Sequence, residues 1–126
     1  MLTVALVLAG LAALVHVWIF WLEALVFPTV GRRTFGVAAA DAAVMQPWAY
    51  NQGFYNLFLA IGTGVGIALV EAERDAALAL VVFGTASMVA AALVLVTSDR
   101  TKARGALVQG LLPALALGSL AAWAWA

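Results

Sequence analysis

Two titratable side chains, His16 and Glu23, lie inside the first of four long apolar stretches of the chain. They are seven residues apart, about two turns at roughly 3.6 residues per turn, so an α-helix places them on one face with Glu23 about 10 Å further along the axis. Titratable groups at membrane depth are costly and typically mark a ligand site, a transport path or a proton relay. We therefore predict that function is centred on this pair.

The pair is compatible with several kinds of chemistry. A carboxyl group can serve as acid or base, and a neutral imidazole can relay a proton, hydrogen-bond a ligand or bind a metal. His16 and Glu23 are therefore the candidate catalytic residues. There are also structural alternatives. His16 could hydrogen-bond a backbone carbonyl or a side chain of another helix, and Glu23 could extend towards Arg32 or Arg33 at the interface.

Neutral polar side chains occur near the start of the second and fourth apolar stretches. On a helix, Gln52 shares a face with Asn56, and Asn51 shares an adjacent face with Tyr55. Amides donate hydrogen bonds to a buried carboxylate without adding charge, although they also bond helices to one another. We predict a polar pocket with His16 as its floor. Its predicted ligand-binding residues are His16, Glu23, Asn51, Gln52, Tyr55, Asn56 and Gln109.

The residue types argue against a metal centre. The chain has one histidine and no cysteine, and Glu23 lies about two turns from the histidine, which leaves too few ligands for tetrahedral zinc. We therefore predict no metal and no cofactor. Haem stays open as an alternative, with His16 as the iron ligand, because one histidine can hold the iron and Trp18, Phe20 and Trp21 follow it closely in the sequence.

The composition predicts the elements that position these residues. Hydrophobic residues make up 67% of the 126 residues and charged residues 10%, which is too apolar for a soluble domain of this size. Residues 2–27, 49–70, 76–96 and 106–125 each match the length of about 20 residues that a bilayer requires. We predict one all-α domain over residues 1–126, a four-helix bundle in the lipid bilayer. The zero net charge, with no basic stretch among aromatics, excludes nucleic acid as a partner.

The basic residues predict an orientation. Five of the six follow the first or the third apolar stretch. Because cytoplasmic loops are enriched in Lys and Arg, we predict that both termini lie outside and that the pocket opens to the cytoplasm. The linker over residues 28–48 is apolar enough for a short interfacial helix, with Pro47 marking the boundary before the second spanning helix.

A short repeat links the two halves of the chain. Gln52-Gly53 and Gln109-Gly110 occupy corresponding positions in the second and fourth stretches. Duplication of one helical hairpin would explain the repeat and would favour a binding site where the halves meet, although chance explains so short a match equally well. Small residues at four-residue spacing, such as Gly62 and Gly66, indicate contact faces within the chain or between subunits. A homo-oligomer therefore stays open.

These residues together resemble a known family. The first helix with His16 and Glu23, the sequence Asn51-Gln-Gly-Phe-Tyr-Asn56, and Gln109-Gly110 with Pro113 are similar to the domain of unknown function 1304 family of small bacterial integral membrane proteins. The resemblance covers essentially the whole chain, and Asn-Gln-Gly-x-Tyr-Asn is its most specific part. It implies four transmembrane helices in the bacterial inner membrane. It brings no activity, so the polar residues stay candidates.

Three functions are compatible with the sequence. The leading hypothesis is a membrane-embedded binding protein or small carrier for a small polar or amphipathic molecule. The first alternative is a small membrane enzyme acting on a lipophilic substrate, with His16 and Glu23 as acid and base and with Tyr55 and Asn56 orienting the substrate. The second is a structural subunit of a membrane complex, in which the small-residue faces matter and the polar residues tolerate change.

Overall fold

Four long helices make up most of the chain in the computed structural model, which describes residues 1–126. Helix α1 is Leu2–Phe20, α2 is Ala42–Leu69, α3 is Arg74–Ser98 and α4 is Ala103–Ala124. A π-helical segment, Trp21–Leu25, extends α1. The four helical stretches are each long and apolar enough to cross a membrane. The predicted all-α fold with four spanning helices is confirmed, whereas the compartment that each end faces stays a prediction.

The helices form an antiparallel ring. Helix α1 packs against α2 and α4, α3 packs against the same two helices, and α1 and α3 share few contacts across the ring. One buried cluster combines Ala5, Ala9 and Ala116 with Val81 and Leu120. Small side chains let backbones approach closely, which stabilises helix packing in lipid, where burial of apolar surface between helices gains little.

The two ends of the bundle differ in charge. The linker from α1 to α2 and the turn from α3 to α4 lie at the same end, and five of the six basic residues lie there. We call this the basic end. The N-terminus, the turn between α2 and α3 and the end of α4 form the opposite end, where Arg74 is the single basic side chain.

The linker between α1 and α2 is more helical than the sequence indicated. A second π-helical segment, Phe27–Gly31, leads into one α-helical turn, Arg32–Thr34, and Gly36 then reverses the chain with φ 69°. Helix α2 already begins at Ala42, so the predicted boundary at Pro47 was wrong. Pro47 lies in the second turn of α2, where its missing N–H costs the helix one hydrogen bond.

The repeated Gln-Gly pairs share one packing role. A Cβ atom on Gly53 would lie 3.0 Å from the Ala24 backbone nitrogen, and a Cβ atom on Gly110 would lie 2.7 Å from the Ala92 Cβ atom. Each glycine therefore allows its helix to approach the preceding one closely. At the basic end, Gly53 holds α2 against the extension of α1, and Gly110 holds α4 against α3.

Candidate functional site at the basic end

The backbone around Glu23 departs from regular α-helix. Glu23 lies in the π-helical segment Trp21–Leu25, and Val26 (φ −128°, ψ 23°) separates it from the second such segment. Pro28 contributes to the irregularity because it lacks the N–H that would bond the Ala24 carbonyl and restricts the residue before it. Such wide turns frequently occur at functional sites.

Glu23 is hydrogen-bonded by an amide of the neighbouring helix. Asn56 Nδ2 donates to Glu23 Oε2 at 2.8 Å and also lies 3.1 Å from the Gln52 carbonyl oxygen. The two basic residues that the sequence offered as partners bond elsewhere, since Arg32 Nε donates to the Pro28 carbonyl and Arg33 Nε to the Thr29 carbonyl, each at 3.1 Å. The Glu23 carboxyl group is thus paired with a neutral donor.

A cleft of about 930 Å³ opens beside Glu23 at the basic end. Its polar wall contains Glu23 from the extension of α1, Asn51 and Gln52 from α2, and Gln109 from α4. Asn56 is partly buried. It donates its hydrogen bond to Glu23 and does not itself line the cleft. Four of the predicted site residues therefore converge on one cleft from three parts of the fold.

The cleft also has an apolar wall and a cationic rim. The apolar wall includes Trp18, Ile19, Phe27, Trp48, Leu95 and Val108. The rim contains Arg33 from the linker, Lys102 from the turn that precedes α4 and Arg104 from the first turn of α4. The sequence did not predict these cations as site residues, although it shows that the basic residues cluster in the two loops.

Hydrogen bonds hold the rim in place. Lys102 Nζ donates to the Phe35 carbonyl at 2.9 Å, which ties the start of α4 to the linker. Asp99 Oδ1 accepts hydrogen bonds from the backbone N of Thr101 at 2.9 Å and from its Oγ1 at 2.6 Å. These bonds from Thr101 lower the pKa of the exposed Asp99 carboxyl, and the nearby Lys102 contributes in the same direction. Asp99 is therefore ionised at neutral pH, and its hydrogen bonds go to Thr101.

His16 lies apart from the cleft. Its ring is 1% exposed, and Nδ1 lies 2.9 Å from the Ala12 carbonyl oxygen one turn earlier. Because a carbonyl only accepts, Nδ1 carries a proton and donates it to this hydrogen bond. His16 does not line the cleft. The structure therefore does not place it at the floor of the site, and its observed bond is the structural alternative considered from the sequence.

Tyr55 also lies away from the site. Its side chain is 58% exposed on the outer surface of α2, and its ring centroid lies 6.4 Å from that of Phe58 in an edge-on arrangement. The same surface carries Phe54, whose ring contacts Tyr50 and Phe20 with centroid distances of 5.0 and 5.2 Å. These aromatic side chains form a ladder on the exterior of the bundle.

The fold and the cleft together define a small four-helix protein with the composition of a multi-pass membrane protein. The chain belongs to the family described as protein of unknown function DUF1304, whose sequence profile matches residues 10–121. The match includes all of the cleft-lining residues and His16. Comparison with curated proteins gave no match, and comparison with solved structures gave none either.

Proposed function

We propose that this protein is a membrane-embedded binding protein or small carrier whose cleft holds a small polar or amphipathic molecule. The observation that carries the proposal is the convergence of Glu23 with Asn51, Gln52 and Gln109 on one cleft. A carboxyl group within a spanning segment is costly, and its location on an open wall favours a binding role over a purely structural one.

The amides support this proposal because they are free. If their role were to bond the helices, their side chains would donate to neighbouring helices, as Asn56 does to Glu23. The side chains of Asn51, Gln52 and Gln109 instead form no hydrogen bond within the protein and line the cleft. Three unpaired amides beside a carboxyl group offer both donors and acceptors to a ligand.

The position of His16 makes an enzyme with a His16–Glu23 acid–base pair less well supported. A general acid or base must reach the reacting group directly or through one water molecule, and His16 does not line the cleft that contains Glu23. Haem ligation by His16 loses support for the same reason, since the ring is enclosed among the helices and only Trp18 of its three aromatic neighbours lines the cleft.

The proposed location is the bacterial inner membrane, with the cleft open to the cytoplasm. The enrichment of basic residues at the end that contains the cleft supports this orientation. A cysteine introduced at the exposed Ala40 in the linker should then be labelled by a thiol reagent only after the cytoplasmic side is made accessible, and one at Ala72 in the opposite turn should be labelled in intact cells. The reverse pattern would place the cleft outside.

A ligand screen tests the proposed function. The detergent-purified protein should carry a discrete small molecule in native mass spectrometry, or its melting temperature should rise with at least one compound of a broad metabolite set. The effect should be lost in Glu23→Gln and kept in the control Glu71→Gln, since Glu71 lies exposed in the opposite turn. An empty protein with no stabilising compound, together with a silent Glu23→Gln in cells, would overturn the proposal.

The oligomeric state of glycine variants distinguishes a structural subunit of a complex from a binding protein. A side chain added at Gly62 or Gly118 would meet nothing within 4 Å in the same chain. Leucine at either position should therefore leave the fold and ligand binding intact if these faces contact only lipid. Loss of a larger species in native mass spectrometry on Gly62→Leu or Gly118→Leu, with ligand binding unaffected by Asn51→Ala, would favour a subunit of a complex.

A further inference from the structure

We infer that the ligand of the cleft is an acidic amphiphile, with a carboxylate or phosphate head at the rim and an apolar body against the inner wall. This inference rests on the proposed function and names its ligand class. The observation behind it is the distribution of charge, because Arg33, Lys102 and Arg104 line the cleft and Glu23 is its only acidic lining residue.

None of the three rim cations forms a direct ion pair in the protein. Arg33 and Lys102 donate to the uncharged backbone carbonyls of Thr29 and Phe35, and Lys102 also lies close enough to the Asp99 carboxylate to lower its pKa. Arg104 is exposed. The nearby carboxylate of Asp99 accepts its hydrogen bonds from Thr101 and does not line the cleft. An oxyanion would therefore find several unoccupied donors, and guanidinium groups bind carboxylates and phosphates in a matching fork geometry.

The inner part of the cleft is suited to an apolar body. Trp18 and Ile19 belong to α1, and Leu95 and Val108 belong to the basic ends of α3 and α4, all within stretches apolar enough to span a membrane. The rim cations lie in the linker and at the start of α4, where a helix end meets the membrane surface. A molecule bound across both regions has its charge at the surface and its apolar part at membrane depth.

Glu23 determines which part of the ligand can lie deep. Its Oε2 accepts from Asn56, whereas Oε1 is left for a further donor. A carboxyl oxygen accepts hydrogen bonds in either protonation state. The deep wall therefore offers an acceptor to a hydroxyl or amide of the ligand, whereas all three cationic lining residues lie at the rim, which favours the rim for the acidic head.

Binding of matched amphiphiles tests this inference. The protein in a neutral detergent is titrated with oleate, oleoyl lysophosphatidate, monooleoylglycerol and inorganic phosphate, and binding is followed by melting temperature and native mass spectrometry. We expect one or both acidic amphiphiles to bind about tenfold or more tightly than the uncharged glyceride, because charge-assisted hydrogen bonds are about twice as strong as neutral ones. Stabilisation by inorganic phosphate alone would show that a free oxyanion, not an amphiphile, is the ligand.

Charge-neutralised variants provide the second part of the test. Arg104→Gln and Arg33→Gln should each weaken binding of the acidic amphiphile about tenfold and reduce its salt dependence, and Arg104→Lys should keep part of the affinity. The control Arg74→Gln removes the basic residue of the opposite end and should change nothing. Circular dichroism of each variant verifies that the helices are retained.

Two outcomes would overturn the inference, and they have different consequences for the proposed function. Equal binding of the glyceride and the acids, or equal weakening by Arg74→Gln, would reject an acidic ligand. If another compound still bound in a manner that required Glu23, the proposed binding function would stand without this ligand class. If no compound bound and Glu23→Gln were silent, both would fall.

Discussion

Asn56 Nδ2 donates a hydrogen bond of 2.8 Å to Glu23 Oε2, and this bond joins the extension of α1 to α2 at the edge of the cleft. It is possible because Gly53, one turn before Asn56, brings the two backbones together. The close approach at Gly53 thus fixes both the position of the Glu23 carboxyl group and the spacing of the two backbones that form this wall of the cleft.

Removing this bond should lower stability, whereas removing a free amide should not. Asn56→Ala should reduce the free energy of unfolding by about 0.6 kcal/mol, the average for side-chain hydrogen bonds between helices of a membrane protein, and by no more than about 1.7 kcal/mol, the largest value for such bonds. The control Asn51→Ala removes an amide with no partner, so it should weaken ligand binding without lowering the melting temperature. Unfolding in a denaturing detergent measures the first effect, and equal destabilisation by both changes would contradict the assignment.

The two Gln-Gly glycines should tolerate no side chain. Gly53→Ala would place its Cβ atom 3.0 Å from Ala24 N, and Gly110→Ala would place its Cβ atom 2.7 Å from Ala92 Cβ. Each change should destabilise the protein by about 1–3 kcal/mol, because the helices must separate. Gly64→Ala is the control, since its added atom meets nothing within 4 Å. A melting temperature unchanged by Gly53→Ala would show that the helices separate without cost.

His16 should matter for stability and not for ligand affinity. Because the ring is buried, His16→Ala leaves a cavity and should cost on the order of 2 kcal/mol in the free energy of unfolding. Ligand affinity should stay within about twofold of wild type, a difference of about 0.4 kcal/mol or less, because His16 does not line the cleft. A visible absorption spectrum of the purified protein completes the test, since a Soret band that His16→Ala removes would restore the haem alternative.

Acid should loosen the rim of the cleft through Asp99. Hydrogen bonds from Thr101 lower the pKa of Asp99 in the folded protein, so the stabilisation is fully present above the ordinary carboxyl pKa and is lost as the pH falls through the lower folded-state value. We expect protection of the amide hydrogens at the start of α4 to decrease as the pH falls below the ordinary carboxyl pKa of 3.8 and through the lower folded-state value. Asp99→Asn should remove this pH dependence, and an unchanged pH profile in that variant would argue against it.

The sequence predicted the helices well because apolar stretches of spanning length are a strong signal. The sequence also predicted Glu23, Asn51, Gln52 and Gln109 at one end, since each lies close to a polar loop in the chain order, and these four residues line one cleft in the structure. The start of α2 was missed because Pro47 was taken as a boundary, whereas a proline removes only one hydrogen bond near the start of a helix, and α2 continues through it from Ala42.

The placement of His16 and Tyr55 could not be predicted from periodicity. His16 and Glu23 share a face only if 3.6 residues per turn hold from one to the other, and the π-helical turn that begins at Trp21 changes that rotation. The rotation of α2 about its axis determines that Asn56 bonds Glu23 while Tyr55 faces outwards. That rotation depends on the close approach at Gly53, which is a tertiary contact.

The positions of three glycines bear on where the cleft could widen. At the basic end, Gly53 allows close approach within the hairpin α1–α2, and Gly110 does so within the hairpin α3–α4. Near the opposite turn, Gly66 allows α2 to approach α3, because a Cβ atom on Gly66 would lie 2.9 Å from the Ala77 carbonyl oxygen. At the basic end the close backbone approaches are thus within the hairpins α1–α2 and α3–α4, and none of these glycines joins one hairpin to the other there. A ligand of the proposed kind that needs a wider cleft would therefore separate the two hairpins at the basic end before it separates the helices of either one.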